Sequence, residues 1–145
     1  MKRLTILSVC LFILSGTVMA DDGKPVLVDQ LPVKAQQFIK QHFPEKEISF
    51  ARVEKEFIGK KYDVFFVNGE KLEFDKNGLW KEVDCKLSAV PDAVIPQPIR
   101  EYQSKQYPDA KTLKIERESK GYEVKLNNRL EIRFDAVFQV VDIDD

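Results

Sequence analysis

The chain has 145 residues, with 23 Lys and Arg against 24 Asp and Glu, so its formal net charge is −1. That balance excludes the uniformly basic surface that nucleic acid or anionic lipid selects. One His and two Cys leave little for a histidine-rich metal site or a disulfide scaffold.

Residues 1–20 read as a secretory signal peptide. Lys2 and Arg3 make a basic start, Leu4 to Leu14 an apolar run, and Val18-Met19-Ala20 the small residues before a cleavage site. A lipoprotein reading at Cys10 is weaker, because the apolar run before it is very short and Val9 is a poor predecessor of a lipidated cysteine. Cleavage after Ala20 leaves 125 residues at a charge of −3, enough for one compact core or two small halves sharing one. No second apolar stretch approaches membrane-spanning length, so a soluble periplasmic product without membrane insertion is expected. Cys85 then has no partner in the chain, and its strand parity with Val83 predicts burial.

In chain order, "LPVKAQQFIKQHFP" (31–44) predicts a helix. Pro32 suits its first turn and Pro44 stops it. Leu31, Ala35, Phe38 and His42 share one face, with Ile39 and Phe43 beside it. Alternating runs then predict strands over 48–57, 61–67, 70–75 and 79–85. "VNGE" (67–70) and "DKNG" (75–78) supply Asn-Gly turn signals between them. "IPQPIREYQSKQYP" (95–108) predicts a second helix, and strands are predicted over 111–118, 121–127, 129–135 and 137–143.

The second series echoes the first. "VEKE" (53–56) matches "IERE" (115–118), "YDVFFVN" (62–68) matches "YEVKLNN" (122–128), and "LEFD" (72–75) matches "IRFD" (132–135). "EVD" (82–84) is set against "VVD" (140–142), which pairs Trp80 with Phe138 and Cys85 with Ile143. The offset falls from 64 to 58 in even steps, as losses at hairpin turns require if each strand is to keep its buried face. The expected fold is α+β: two tandem helix-plus-four-strand antiparallel units, residues 21–86 and 87–145. Placed side by side, they form a combined antiparallel sheet with both helices on one face and the other face open.

No catalytic constellation is visible. His42 ends the apolar helical stripe, near a helix C-terminus that favours positive charge, and reads as structural. No Ser or Cys sits in a nucleophile motif, and there is no phosphate loop or CxxC. "DKNG" lacks the spaced ligands of a calcium loop and reads as a turn, while the terminal "DIDD" (142–145) reads as solvated. Neither a metal nor a cofactor is expected, and no residue is assigned a catalytic role.

Alternation separates the two faces. Tyr62, Val64 and Phe66, like Tyr122, Val124 and Leu126, belong to the covered core. The other parity reads Asp63, Phe65, Val67 in the first series and Glu123, Lys125, Asn127 in the second. Phe50 and Trp80 join Phe65 there by parity, so Phe50, Phe65, Val67, Trp80 and Phe138 are the candidate binding residues of the open face. Either a partner binds this cluster, or loops, segment 21–30 or a second subunit covers it.

On "LPVKAQQFIKQHFP", "YDVFFVNGEKLEFDKNGLWKEVDC" and "YEVKLNNRLEIRFD", the chain resembles the PepSY-like, beta-lactamase-inhibitor-like family of small exported proteins from Bacteroides-type bacteria. The resemblance covers nearly all of the sequence after residue 20. It implies tandem helix-plus-four-strand units and a sheet face that, in the named inhibitor, grips an enzyme. It names no target and carries over no inhibitory residues. The function expected is an exported, non-enzymatic binding or inhibitor-like module that engages an envelope protein or peptide. The alternatives are a structural protein that homodimerises through the aromatic patch and, less favoured, a small hydrolase using His42.

Overall fold

A computed structural model describes residues 23–145, so the expected signal peptide and its cleavage lie outside the described residues. One nine-stranded antiparallel sheet runs in chain order: β1 (Lys24–Val26), β2 (Ile48–Lys55), β3 (Lys60–Phe66), β4 (Lys71–Asp75), β5 (Trp80–Asp84), β6 (Thr112–Glu118), β7 (Gly121–Leu126), β8 (Glu131–Asp135) and β9 (Val140–Asp144). Helix α1 (Val33–His42) precedes β2, and α2 (Gln97–Gln106) precedes β6. Pro32 and Pro96 adopt extended backbone at the two N-caps, one position earlier than a first helical turn.

The eight predicted strands are present, and β1 is an addition. It pairs with β2 through Pro25 opposite Arg52, which extends the sheet at its edge instead of covering a face. Proline is tolerated there because an edge strand has one side without ladder partners.

Two rows of paired residues cross all nine strands and define the faces. Val26, Ala51, Val64, Leu72, Val83, Ile115, Val124, Ile132 and Ile143 stand opposite one another in succession. One residue away, Pro25, Arg52, Asp63, Glu73, Glu82, Glu116, Glu123, Arg133 and Asp142 do the same. The first row is the core row. Both helices lie on its side: Phe38 of α1 meets Phe74 edge-on at 5.6 Å, and Tyr102 of α2 meets Phe134 edge-on at 5.5 Å. Ala35, Ile39, Ile99, Phe74 and Phe134 are all buried against it. Burying each such side chain contributes about 1.5–3 kcal/mol, which is what holds two otherwise thin helix-and-strand layers together.

Four bulges interrupt the ladders, at Ser49, Lys81, Leu113 and Val141, each adding one residue on one strand. They correct the alignment of the last strands. Phe74 faces Trp80 and Phe134 faces Val140, while Leu72 faces Val83 and Ile132 faces Ile143. By ladder position Trp80 therefore corresponds to Val140, not Phe138, and Ile143 corresponds to Val83, not Cys85.

The two turns leading into β5 and β9 are alike. Asp75 Oδ1 accepts from the N–H groups of Asn77 and Leu79, and Asp135 Oδ1 from those of Val137 and Gln139. Gly78 at φ 83° and Phe138 at φ 63° take the left-handed position in them. At Gly78 a Cβ would come within 2.8 Å of Pro32 Cβ and 2.9 Å of Ala35 N, because this turn packs on the start of α1.

Candidate functional site

Phe50 and Phe65 stand opposite each other on the face away from the helices. Their rings stack at 4.5 Å with a 17° tilt, and Phe50 is 50% exposed. The Arg52 guanidinium lies 5.3 Å from the Phe65 ring centre and Lys71 Nζ 5.7 Å from it, so the pair is framed by cations. The geometry arises locally. The bulge at Ser49 lies beyond Phe50, leaving Phe50 to Lys55 in strict alternation. Val67 follows just past β3, exposed, with its N–H donating to Glu47 O.

Trp80 and Phe138 lie elsewhere, and their expected place on the open face is corrected. Trp80 faces the buried Phe74 because the extra residue at Lys81 reverses the parity counted back from Val83. It packs at 6.5 Å from Tyr122, under the Arg117 guanidinium at 4.7 Å. Arg117 also donates to the Trp80 carbonyl. Phe138 sits in a turn and stacks on the same Tyr122 ring at 5.3 Å. Of the five candidates, Phe50 and Phe65 are in ring contact on the open face and Val67 follows two residues after Phe65, while Trp80 and Phe138 form a separate aromatic row on the helix side.

The rest of the open face is an ion-pair lattice that residue-type reasoning passed over. In its central row Asp63, Glu73, Glu82, Glu116 and Glu123 are consecutive cross-strand neighbours, an arrangement that is unfavourable unless countered. Cations interleave with them. Arg52 Nε meets Asp63 at 3.0 Å, Lys71 lies 3.5 Å from Asp63 and 3.4 Å from Glu73, and Lys114 lies 2.7 Å from Glu116 and 3.7 Å from Glu82. Arg133 closes the far end, 3.4 Å from Glu123. Burial pushes the Glu82 carboxyl up, helped by Glu116 and Glu73, against the pull of Lys114 and Lys71. On Lys114, burial pulls downward but Glu116 and Glu82 outweigh it, so that its ammonium is held above the ordinary range. The signal was present as a repeated apolar–charged–apolar triplet: Tyr62-Asp63-Val64, Leu72-Glu73-Phe74, Tyr122-Glu123-Val124, Ile132-Arg133-Phe134. Across β5 to β8 the same face carries a shallow groove lined by Asp84, Leu87, Leu113, Lys114, Glu123 and Lys125.

Of the two residues with intrinsic reactivity, Cys85 is buried and His42 partly so. Cys85 is buried, and burial, with Glu70 adding, pushes its thiol up to about 12. His42 packs 4.7 Å from the Phe38 ring, and burial lowers its pKa. Among the described residues no group of three or more His, Cys, Asp or Glu is placed to hold a metal ion. No described helix is long and apolar enough to cross a membrane.

A family model described as "Putative beta-lactamase-inhibitor-like, PepSY-like" matches residues 60–142, more than half of the chain. Three solved crystal structures are similar along nearly their whole length. A "putative periplasmic protein" from Bacteroides vulgatus is 57% identical with a TM-score of 0.85, covering 87% of this chain and 99% of its own. A "putative calcium-regulated periplasmic protein" from Bacteroides thetaiotaomicron is 56% identical at 0.83, with the same coverage. A second Bacteroides vulgatus periplasmic protein, of unknown function, is 38% identical at 0.80, covering 85% and 99%. No curated protein matches significantly. With β3 to β8 and the start of β9 inside the matched region and a shared fold at this identity, the chain belongs to the PepSY-like, beta-lactamase-inhibitor-like family.

Proposed function

We propose that the chain is a periplasmic, non-enzymatic binding module of inhibitor-like type, which engages an envelope protein or peptide through the open face of its sheet. The observation that carries this reading is the Phe50–Phe65 stack, with Phe50 exposed and Phe65 half-buried, set in a face whose other paired positions are charged apart from Pro25 and Gly121. The ion pairs beside the stack are half-buried, with Asp63 fully so, and those toward the far edge at Lys125 and Arg133 are exposed; together they make a polar rim. A stacked aromatic pair inside such a rim has the composition of a binding hot spot. Two tandem units, residues 21–86 and 87–145, supply the width: the first brings one helix and, with the added β1, five strands, the second one helix and four, and side by side they leave a broad uncovered surface.

The test is an affinity comparison on a partner captured from envelope extract. Phe65→Ala should weaken it by about 2 kcal/mol or more, as truncation of an anchor does. Unchanged affinity would remove the Phe pair from the interface. The alternative, in which Phe50 and Phe65 join two copies of the chain, is separated by light scattering on the eluting protein: a dimer that Phe50→Ala converts to monomer would favour it. A hydrolase using His42 is disfavoured by its packing against Phe38 at the end of α1. Calcium regulation, taken from one relative's name, finds no matching donor set among the described residues. The turn carboxylates Asp75 and Asp135 each commit Oδ1 to two backbone N–H groups.

A further inference from the structure

Phe57 and Ile58 form the tip of the β2–β3 hairpin, and their side chains are 104% and 82% exposed. The turn is tight: the Glu56 N–H donates to Gly59 O at 3.0 Å, and Gly59 holds φ 88°. Turn positions of this kind are ordinarily filled by Gly, Asn, Asp or Ser. The hairpin does not need apolar residues for its own geometry, since the β6–β7 hairpin turns through Glu118, Ser119 and Lys120 instead. Folding thus leaves two large adjacent apolar side chains in water, where they contribute nothing to the core.

The residues around the tip are basic. Lys55 and Lys60 stand directly opposite each other beneath it, a like-charge pair that weakens the hairpin. Lys24 on β1 lines the same shallow depression as Lys55, Lys60 and Val53. The stem of Lys76, from the neighbouring β4–β5 turn, lies 3.3 Å from where a Cβ on Gly59 would sit. The acids at this end are Glu56 in the turn, Glu118 beside the β6–β7 turn, and Asp75 and Asp135, whose Oδ1 atoms are already engaged by their own turns. Because the strands form a meander, the β4–β5 and β8–β9 turns point the same way, adding the exposed Leu79 and Val137 to this end of the sheet. The near-zero charge of the whole chain does not bear on this end, because screening confines the field to about 8 Å.

We propose that this hairpin tip docks the protein peripherally on an anionic phospholipid surface. Phe57 and Ile58 enter the boundary between headgroups and acyl chains, and Lys24, Lys55, Lys60 and Lys76 meet the lipid phosphates. The surface is distinct from the open face, and two apolar side chains with four cations make a reversible contact, not an anchor.

The experiment is co-sedimentation of the chain recovered from the periplasm of an exporting host. Vesicles of equal phosphatidylglycerol and phosphatidylcholine are compared with phosphatidylcholine alone. Binding to the anionic vesicles should be roughly tenfold tighter or more. A Phe57→Ser/Ile58→Ser variant and a Lys55→Glu/Lys60→Glu variant should each lose most of it while melting no lower than the parent. Equal binding to both vesicle types, or variants that bind as the parent does, would overturn the proposal. A parent that ignores vesicles but forms a protein adduct from a photocrosslinker at position 57 would replace the lipid with a protein partner.

Discussion

Trp80 stands directly across the ladder from Phe74, a fully buried residue against which α1 packs. A single extra residue at Lys81 produces that relationship. It makes Trp80 part of the helix-side core rim, held by Tyr122 and the Arg117 guanidinium. Trp80→Ala should therefore destabilise the fold by about 2 kcal/mol or more, with little effect on binding at the open face. Urea unfolding checks this; a neutral effect would mean that Trp80 packs on nothing that matters.

Phe65 and Phe66 are chain neighbours with opposite fates. Phe66 is 2% exposed and packs 5.5 Å from Phe43, whereas Phe65 lies under Phe50 on the solvent side. Phe66→Ala should cost roughly 3–5 kcal/mol, as core Phe truncations do. Phe65→Ala should cost under about 1 kcal/mol, the usual scale of a surface change. Two melts in parallel decide it, and losses of equal size would place Phe65 in the core.

Gly121 offers a sharper backbone test. It opens β7 opposite Asp135 with φ 148°, and a Cβ there would fall within contact of Phe134 O and the Asp135 backbone. No flexible side-chain end is available to move aside. Gly121→Ala is expected to destabilise by more than 2 kcal/mol, since φ strain and a backbone clash add. A melting temperature within 1–2 °C of the parent, well under the shift that 1 kcal/mol produces in a domain of about this size, would contradict this close approach.

Most of the architecture was legible because it rests on periodicity. The helical stripe of Leu31, Ala35, Phe38 and His42, with Ile39 and Phe43 beside it, and the alternation of Tyr62, Val64 and Phe66 each name the core-facing side without tertiary information, with Phe38, His42 and Tyr62 only partly buried. Phe50 and Phe65 keep their expected face because the bulge at Ser49 lies before Phe50 and none falls within β3. Trp80 was misplaced because a bulge carries no residue-type signature, and one extra residue inverts the parity of everything beyond it. Phe138 was counted as strand although it occupies the left-handed turn position that Gly78 fills in the preceding half. The central acidic row was missed for a different reason. Each Glu is unremarkable on its own strand, and only register shows five acids in line.

That row has a pH signature. Glu82 has a folded pKa raised by burial above its unfolded value, so the folded state binds its proton more tightly. Its contribution to stability is fully present below the unfolded pKa and is lost as pH rises through the folded one. Glu82→Gln, which mimics the protonated form, should therefore match the parent in acid and exceed it in stability at neutral pH. Melts across this window test the sign. A variant less stable than the parent at neutral pH would show that Lys114 holds the Glu82 carboxylate more strongly than burial opposes it.

The central claim is that partners meet the open face of the sheet and not the helices. Photocrosslinking side chains placed one at a time in the exporting host test it most directly. Positions 50 and 125 lie on the open face, and the exposed positions 37 and 105 lie on α1 and α2. The account predicts discrete protein adducts from positions 50 and 125 and none from 37 and 105. Adducts confined to 37 or 105 would contradict it and move the interface to the helical side.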